Sequence, residues 1–106
     1  MADATDASLA EVLKTPSLVL LDLWAPWCGP CRAVAPVLES IAGRYAGRLK
    51  VVKVNVDDNP ATARAYDARS IPTLVMIRDG QTVARVVGAQ PEPALVAQLE
   101  PHLPPV

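Results

Sequence analysis

Leu18-Val19-Leu20-Leu21-Asp22-Leu23-Trp24-Ala25-Pro26-Trp27-Cys28-Gly29-Pro30-Cys31 is an almost unbroken apolar run that stops at two cysteines two residues apart. Leu18 to Leu23 has the composition of a strand buried on both faces of a sheet. Beyond the cysteines, Ala33, Val34, Val37, Leu38, Ile41 and Ala42 recur at helical spacing to about Tyr45, so a helix begins near Pro30. No other cysteine occurs in the chain. A Cys-X-X-Cys pair where a strand ends and a helix begins points to dithiol redox chemistry. Stability is a weak reason to place a crosslink there. Chain-entropy arithmetic gives roughly 2 kcal/mol for so short a loop, against about 3 for a 15-residue one.

The chemistry follows from position. A thiolate is the attacking species, and the free N–H groups and dipole of a helix N-terminus favour it. Cys28, just ahead of the helix, is expected to be exposed and activated; Cys31, inside the first turn, is expected to be more buried. On that asymmetry Cys28 attacks a substrate disulfide, and Cys31 then attacks Cys28 and releases the reduced substrate. Gly29 and Pro30 let the chain turn sharply and preset φ for the helix.

Outward from this centre, Ser8-Leu9-Ala10-Glu11 reads as a capping box, with Leu9, Val12 and Leu13 on one helical face and Pro16 as the stop. Pro36 is expected to kink the long helix without ending it. Val52, Val54 and Val56 alternate with Lys53 and Asn55, a strand with one apolar face. Asn59-Pro60 opens a short helix, Asn59 capping it. Thr73 to Arg78 and Gln81 to Val87 are strands joined by an Asp79-Gly80 hairpin turn. A last helix runs from about Pro91 to near Glu100, ahead of Pro101. The strand–helix–strand unit implies a parallel pair with a right-handed crossover, and the hairpin adds antiparallel strands. The fold class is therefore α/β, a mixed sheet with helices on both faces.

The 106 residues are expected to form a single domain, 1–106. A net charge of −1 leaves no electrostatic footprint for nucleic acid or an anionic membrane. The longest apolar stretch is too short to span a bilayer, and residues 1–15 carry no basic segment ahead of an apolar run. A cytoplasmic protein is expected.

The chain resembles the thioredoxin family over nearly its whole length. The likeness runs through Asp22 to Cys31, Pro36, Lys53-Val54-Asn55-Val56-Asp57, Tyr66, Ser70-Ile71-Pro72-Thr73, Asp79-Gly80 and Val87-Gly88. It implies a central sheet of four to five strands, with the first edge strand, from Met1 to Thr5, short or frayed. By that resemblance Pro72 is a cis-proline facing the dithiol and exposing the Ile71 backbone to a substrate strand; the alternative is a trans proline entering an edge strand. Asp22 is a lone carboxylate in an apolar strand, where burial raises its pKa and lets it serve as general base for Cys31; the alternative is a structural hydrogen bond. Lys53 either tunes Asp22 or is an ordinary solvated lysine.

Trp27, with Gly29, Pro30, Ile71, Pro72, Gly88 and Ala89, is expected to form an apolar docking surface, while Trp24 packs in the core. Tyr66 either flanks that surface or ends its helix. Asp57 and Asp58 read as a turn and solvated face, His102 as a surface residue and Met76 as core.

The resemblance further implies a monomeric protein-disulfide reductase with no bound cofactor beyond the redox-active Cys28–Cys31 disulfide. Its electrons would come from an NADPH-dependent flavoprotein, thioredoxin reductase. Ribonucleotide reductase, peroxiredoxin and methionine sulfoxide reductase are the implied clients. The competing functions are a disulfide oxidase or isomerase on the same fold, and a docking module without chemistry. Typical potentials are about −270 mV for thioredoxins and about −120 mV for a strongly oxidising relative, a gap of roughly 7 kcal/mol; both are general figures, not measurements on this chain. Gly29-Pro30 resembles the reducing end. Structural zinc needs four Cys or His ligands, and the chain offers at most three.

Overall fold

The computed structural model describes residues 1–105. Seven residues of the deciding run, Leu18–Trp24, form β2, and the cysteine pair sits at the mouth of α2, Gly29–Arg44. The helix continues through Pro36, which lies on its exposed side. The remaining elements are β1 (Ala2–Asp3), α1 (Leu9–Val12), β3 (Leu49–Asn55), α3 (Pro60–Ala65), β4 (Thr73–Arg78), β5 (Gln81–Val87) and α4 (Glu92–Leu99), which tightens into a 3₁₀ turn at Glu100–His102. The five strands lie in the order β1-β3-β2-β4-β5. β1 and β2 each pair parallel with β3; β2 and β4, and β4 and β5, pair antiparallel. The first edge strand is indeed short, two residues long.

Side-chain alternation along β2 splits the core in two. Leu18 and Leu20 point toward α2 and α4, where they meet Val34, Leu38, Ile41, Leu95 and Leu99. Val19, Leu21 and Leu23 point the other way, toward Leu9 of α1 and Tyr66. Asp22 shares the face of Leu18 and Leu20 by the strand period of two. Met76 is fully buried, as its sequence context implied. The Asp79-Gly80 turn has positive φ at both residues, +53° and +78°, the backbone that a two-residue hairpin demands.

Three local expectations need correction. β3 begins at Leu49 rather than Val52, and it buries both faces: Leu49 and Val51 join one core, Val52 and Val54 the other. Lys53 therefore extends an apolar face toward its polar end and does not stand on a wholly polar one. The capping box at Ser8 does not form; Ser8 Oγ instead accepts from the Thr5 amide at 2.9 Å, and Glu11 pairs with Lys14. Asn59 does not cap α3 with its side chain either.

Asp6 supplies that cap from 55 residues away. Its carboxylate accepts from the Ala61 and Thr62 amides at 3.2 and 2.8 Å and from Thr62 Oγ1 at 2.6 Å. Asn59 Oδ1 accepts from the Asp6 amide at 2.8 Å and so seats the capping residue. The Thr62 hydroxyl is the largest influence holding the Asp6 carboxyl below its ordinary range. A depressed folded-state pKa contributes stability above the unfolded value of 3.8, lost as pH falls through the lower folded value. Asp6→Ala should thus lower the urea midpoint at pH 7 and lose its effect in strong acid. A pH-independent difference between the two proteins would count against the cap.

Candidate active site

β2 ends at Trp24, and Ala25 to Trp27 carry the chain to Cys28, the N-cap of α2. Cys28 has extended backbone, and its Sγ accepts from the Cys31 amide at 3.2 Å. Pro30, which has no amide hydrogen, occupies the first turn, so the Cys31 N–H is the donor left to point at the sulfur. Cys28 and Cys31 are joined as a disulfide, their Cα atoms 5.2 Å apart.

The expected difference in exposure is absent: each cysteine is 3% exposed. Both sulfurs pack with Ala25 against Trp24, Val56 and Ile71. What separates them is the helix end. Cys28 sits outside it and receives an amide, whereas Cys31 supplies that amide from within the first turn. The same donor and dipole stabilise a thiolate on Cys28 once the disulfide is opened.

The Ile71-Pro72 bond is cis. The Ile71 carbonyl lies 3.7 Å from Cys28 Sγ. The Pro72 carbonyl accepts from the Gly88 amide at 2.8 Å, tying the end of β5 to the same loop. Gly88 has φ +90°, a conformation that glycine takes without a Cβ clash. Cys28, Ile71, Pro72 and Gly88 thus form one patch, with Ala89 exposed beside Gly88.

Trp27 is 68% exposed. Its indole Nε1 donates to Asp57 Oδ2 at 2.9 Å. Asp57, read in the sequence as a solvated turn, therefore anchors the exposed tryptophan. The β2–β3 ladder brings the two turns together, since Trp24 faces Asn55 and the Val56 amide donates to the Trp24 carbonyl; nothing in the local sequence marks the contact. Tyr66 ends α3 and packs on the second core.

Asp22 is 1% exposed and its Oδ1 has no hydrogen-bond partner. Burial lifts its carboxyl from the ordinary 3.8 to about 6, with the Lys53 ammonium pulling in the opposite direction. Asp22 and Lys53 are direct partners in the β2–β3 register. Lys53 Nζ lies 4.3 Å from the centroid of the Trp24 ring, a cation–π contact. Trp24 accordingly walls the site as well as filling space, and its own Nε1 is buried without a partner. A cavity of about 560 Å³ opens beside Lys53 and Trp24, but neither cysteine lines it. Among the described residues no three His, Cys, Asp or Glu side chains gather as a metal site, and no helix is long and apolar enough to cross a membrane.

A family model described as Thioredoxin matches residues 1–101. The chain is 54% identical over 103 residues to Thioredoxin 1 of Synechococcus elongatus, covering 96% of each. It is 52% identical over 101 residues to a thioredoxin of Mycobacterium bovis, covering 94% of this chain and 87% of the relative. A thioredoxin of Haemophilus influenzae is 48% identical over 99 residues, 92% of each. Likeness of this extent, centred on a dithiol between strand and helix, establishes that the chain belongs to the thioredoxin family.

Proposed function

We propose that Cys28 is the attacking sulfur and Cys31 the resolving sulfur of a general protein-disulfide reductase, with Asp22 managing the proton of the second step. As a thioredoxin the protein is a thiol–disulfide oxidoreductase that acts through its cysteine pair. The single observation that supports the assignment of roles is the Cys31 amide directed at Cys28 Sγ from the N-terminus of α2.

In the first step the Cys28 thiolate attacks one sulfur of a client disulfide. A Cys28–client disulfide forms, the client S–S bond breaks, and the departing client thiolate takes a proton from solvent. In the second step Cys31, as thiolate, attacks Cys28 Sγ. The mixed disulfide breaks, the second client sulfur leaves and is protonated, and the Cys28–Cys31 disulfide closes. Two electrons pass to the client. With its carboxyl titrating near 6, Asp22 is ionised at neutral pH and can take the Cys31 proton, through water. Lys53, facing it across the ladder, favours that ionised state. Because the carboxyl and the thiols interact, their titrations belong to the group as a whole.

A client in extended conformation pairs with the Ile71 backbone beside Pro72. Trp27, Gly29, Pro30, Gly88 and Ala89 supply the surrounding surface. A flavoprotein thioredoxin reductase drawing on NADPH restores the dithiol, and disulfide-forming enzymes such as ribonucleotide reductase, peroxiredoxin and methionine sulfoxide reductase are the clients. The protein works as a monomeric single domain in a reducing, cytoplasmic compartment. Gly29-Pro30 between the cysteines supports the reducing direction.

The test is the reduction potential of the Cys28–Cys31 couple, by equilibration against dithiothreitol or glutathione. A value at or below about −250 mV is expected. One above about −200 mV would overturn the reductase reading in favour of disulfide formation.

A further inference from the structure

The loop 66–72 carries Ile71 and Pro72 from α3 to β4, and β5 holds it at both ends. At the far end lies the Gly88 amide bond to the Pro72 carbonyl. At the near end the Arg85 guanidinium donates through Nη1 to the Tyr66 carbonyl and through Nη2 to the Asp67 carbonyl. Tyr66 closes α3, so its carbonyl belongs to the set that a helix C-terminus leaves without an intrahelical partner; the Asp67 carbonyl, just beyond, also accepts from the Arg69 amide. Asp67 has φ +51°, and there the chain turns out of the helix. A planar two-pronged donor suits such a pair of adjacent oxygens, and a positive charge suits that end of the helix dipole. The register agrees: Arg85 faces Val75, which lies in the same core as Tyr66 and Ala68. Arg85 thus leaves β5 on the face where α3 packs.

We propose that Arg85 is a positioning residue for client docking: by gripping the start of the loop, it fixes the Ile71 backbone at its place beside Cys28. This rests on the reading that clients pair with that backbone. Arg85 touches neither sulfur, so its effect falls on substrates that use the loop. A small disulfide, which needs only the thiolate, is indifferent to it.

The experiment mixes reduced protein with excess insulin in a stopped-flow instrument and reads the half-saturating concentration and the plateau rate. A parallel series uses 5,5′-dithiobis(2-nitrobenzoate), whose rate also reports an intact dithiol. For Arg85→Met the half-saturating insulin concentration should rise about tenfold, the scale set by losing hydrogen bonds from a charged donor. The plateau rate and the small-disulfide rate should stay at their wild-type values. Arg85→Lys keeps the charge but loses the fork, and should fall nearer to Arg85→Met than to wild type.

Unchanged insulin saturation in Arg85→Met would overturn the proposal. So would an equal loss with both substrates, which places the defect in the dithiol. Full rescue by lysine would also overturn it, by reducing the effect to charge alone. Failure of the wild-type protein to reduce insulin would instead sink the reductase reading, so the two failures are distinguishable.

Discussion

With Cys28 replaced by serine, client reduction is expected to fall by at least about a thousandfold, since loss of an enzymic nucleophile costs several orders of magnitude. A serine hydroxyl at the N-cap still accepts the Cys31 amide, so α2 keeps its start and the fold is retained. The complementary variant, Cys31→Ser, is expected to behave differently. It completes the first step and stops, leaving one client molecule bound to Cys28 through a disulfide. Mass spectrometry of the non-reduced mixture reads the difference directly. An adduct forming on Cys31 in Cys28→Ser as fast as on Cys28 in Cys31→Ser would overturn the assigned roles, and one forming faster would reverse them. This test matters because the two sulfurs are equally buried in the disulfide, and only the helix end distinguishes them.

Asp22→Asn is expected to stabilise the disulfide form at pH 7 by about 3 kcal/mol, the equivalent of moving a carboxyl from 3.8 to about 6 at about 1.4 kcal/mol per unit. The sign comes from linkage. Asp22 titrates higher in the folded protein, so below pH 3.8 both states hold the proton and the side chain carries no ionic penalty. Between 3.8 and about 6 the unfolded chain releases its proton first, and the folded protein loses ground with each unit. Above the folded value the penalty is constant. The variant's advantage should therefore be small in acid, grow through that window and level off near neutrality. In a chain of this size it corresponds to a rise in Tm on the order of 10–20 °C.

Resolution should slow at the same time, because an amide cannot take the Cys31 proton, and the mixed disulfide should persist for longer. A gain in stability independent of pH would sink the account of Asp22 as a buried carboxylate. Unchanged resolution would sink its role as the base. The exchange of stability for activity at one buried residue has a simple source: the desolvation that destabilises the carboxylate also raises its affinity for a proton.

Most of the fold could be read in the sequence because its signals are local. A continuous apolar run, a helical repeat behind two cysteines and an Asp-Gly turn each act within a few residues. They gave β2, α2 and the β4–β5 hairpin with nearly the observed limits. The misplaced start of β3 has the same root. A strand buried on both faces loses its alternation: Leu49-Lys50-Val51 alternates by itself, but the adjacent Val51-Val52 breaks the phase and splits the run. The cap of α3 was beyond local reading, since Asn59 is adjacent and chemically suitable while the acceptor used is Asp6.

The site divides in the same way. Cys28, Cys31 and Asp22 stand out by composition alone, and the resemblance to thioredoxins added Pro72 and the surface around it. Asp57 and Arg85 were missed because each acts through a contact between elements distant in sequence. Exposed charged residues carry no mark of such contacts. The difference in cysteine exposure failed for another reason: Trp24, Val56 and Ile71, from other parts of the chain, pack against both sulfurs, and position along the helix does not reveal them.

β2 lies third in the five-strand order, laddered to β3 on one edge and to β4 on the other. Its amides are accordingly expected to exchange with solvent deuterium only when the whole molecule unfolds. The two-residue strand β1, by contrast, lies at the margin of the sheet and pairs on one edge alone. A redox couple mounted at the end of the slowest-exchanging strand is insulated from the breathing of the periphery. Local openings at β1 or at the Asp79-Gly80 turn are therefore expected to leave the dithiol in place.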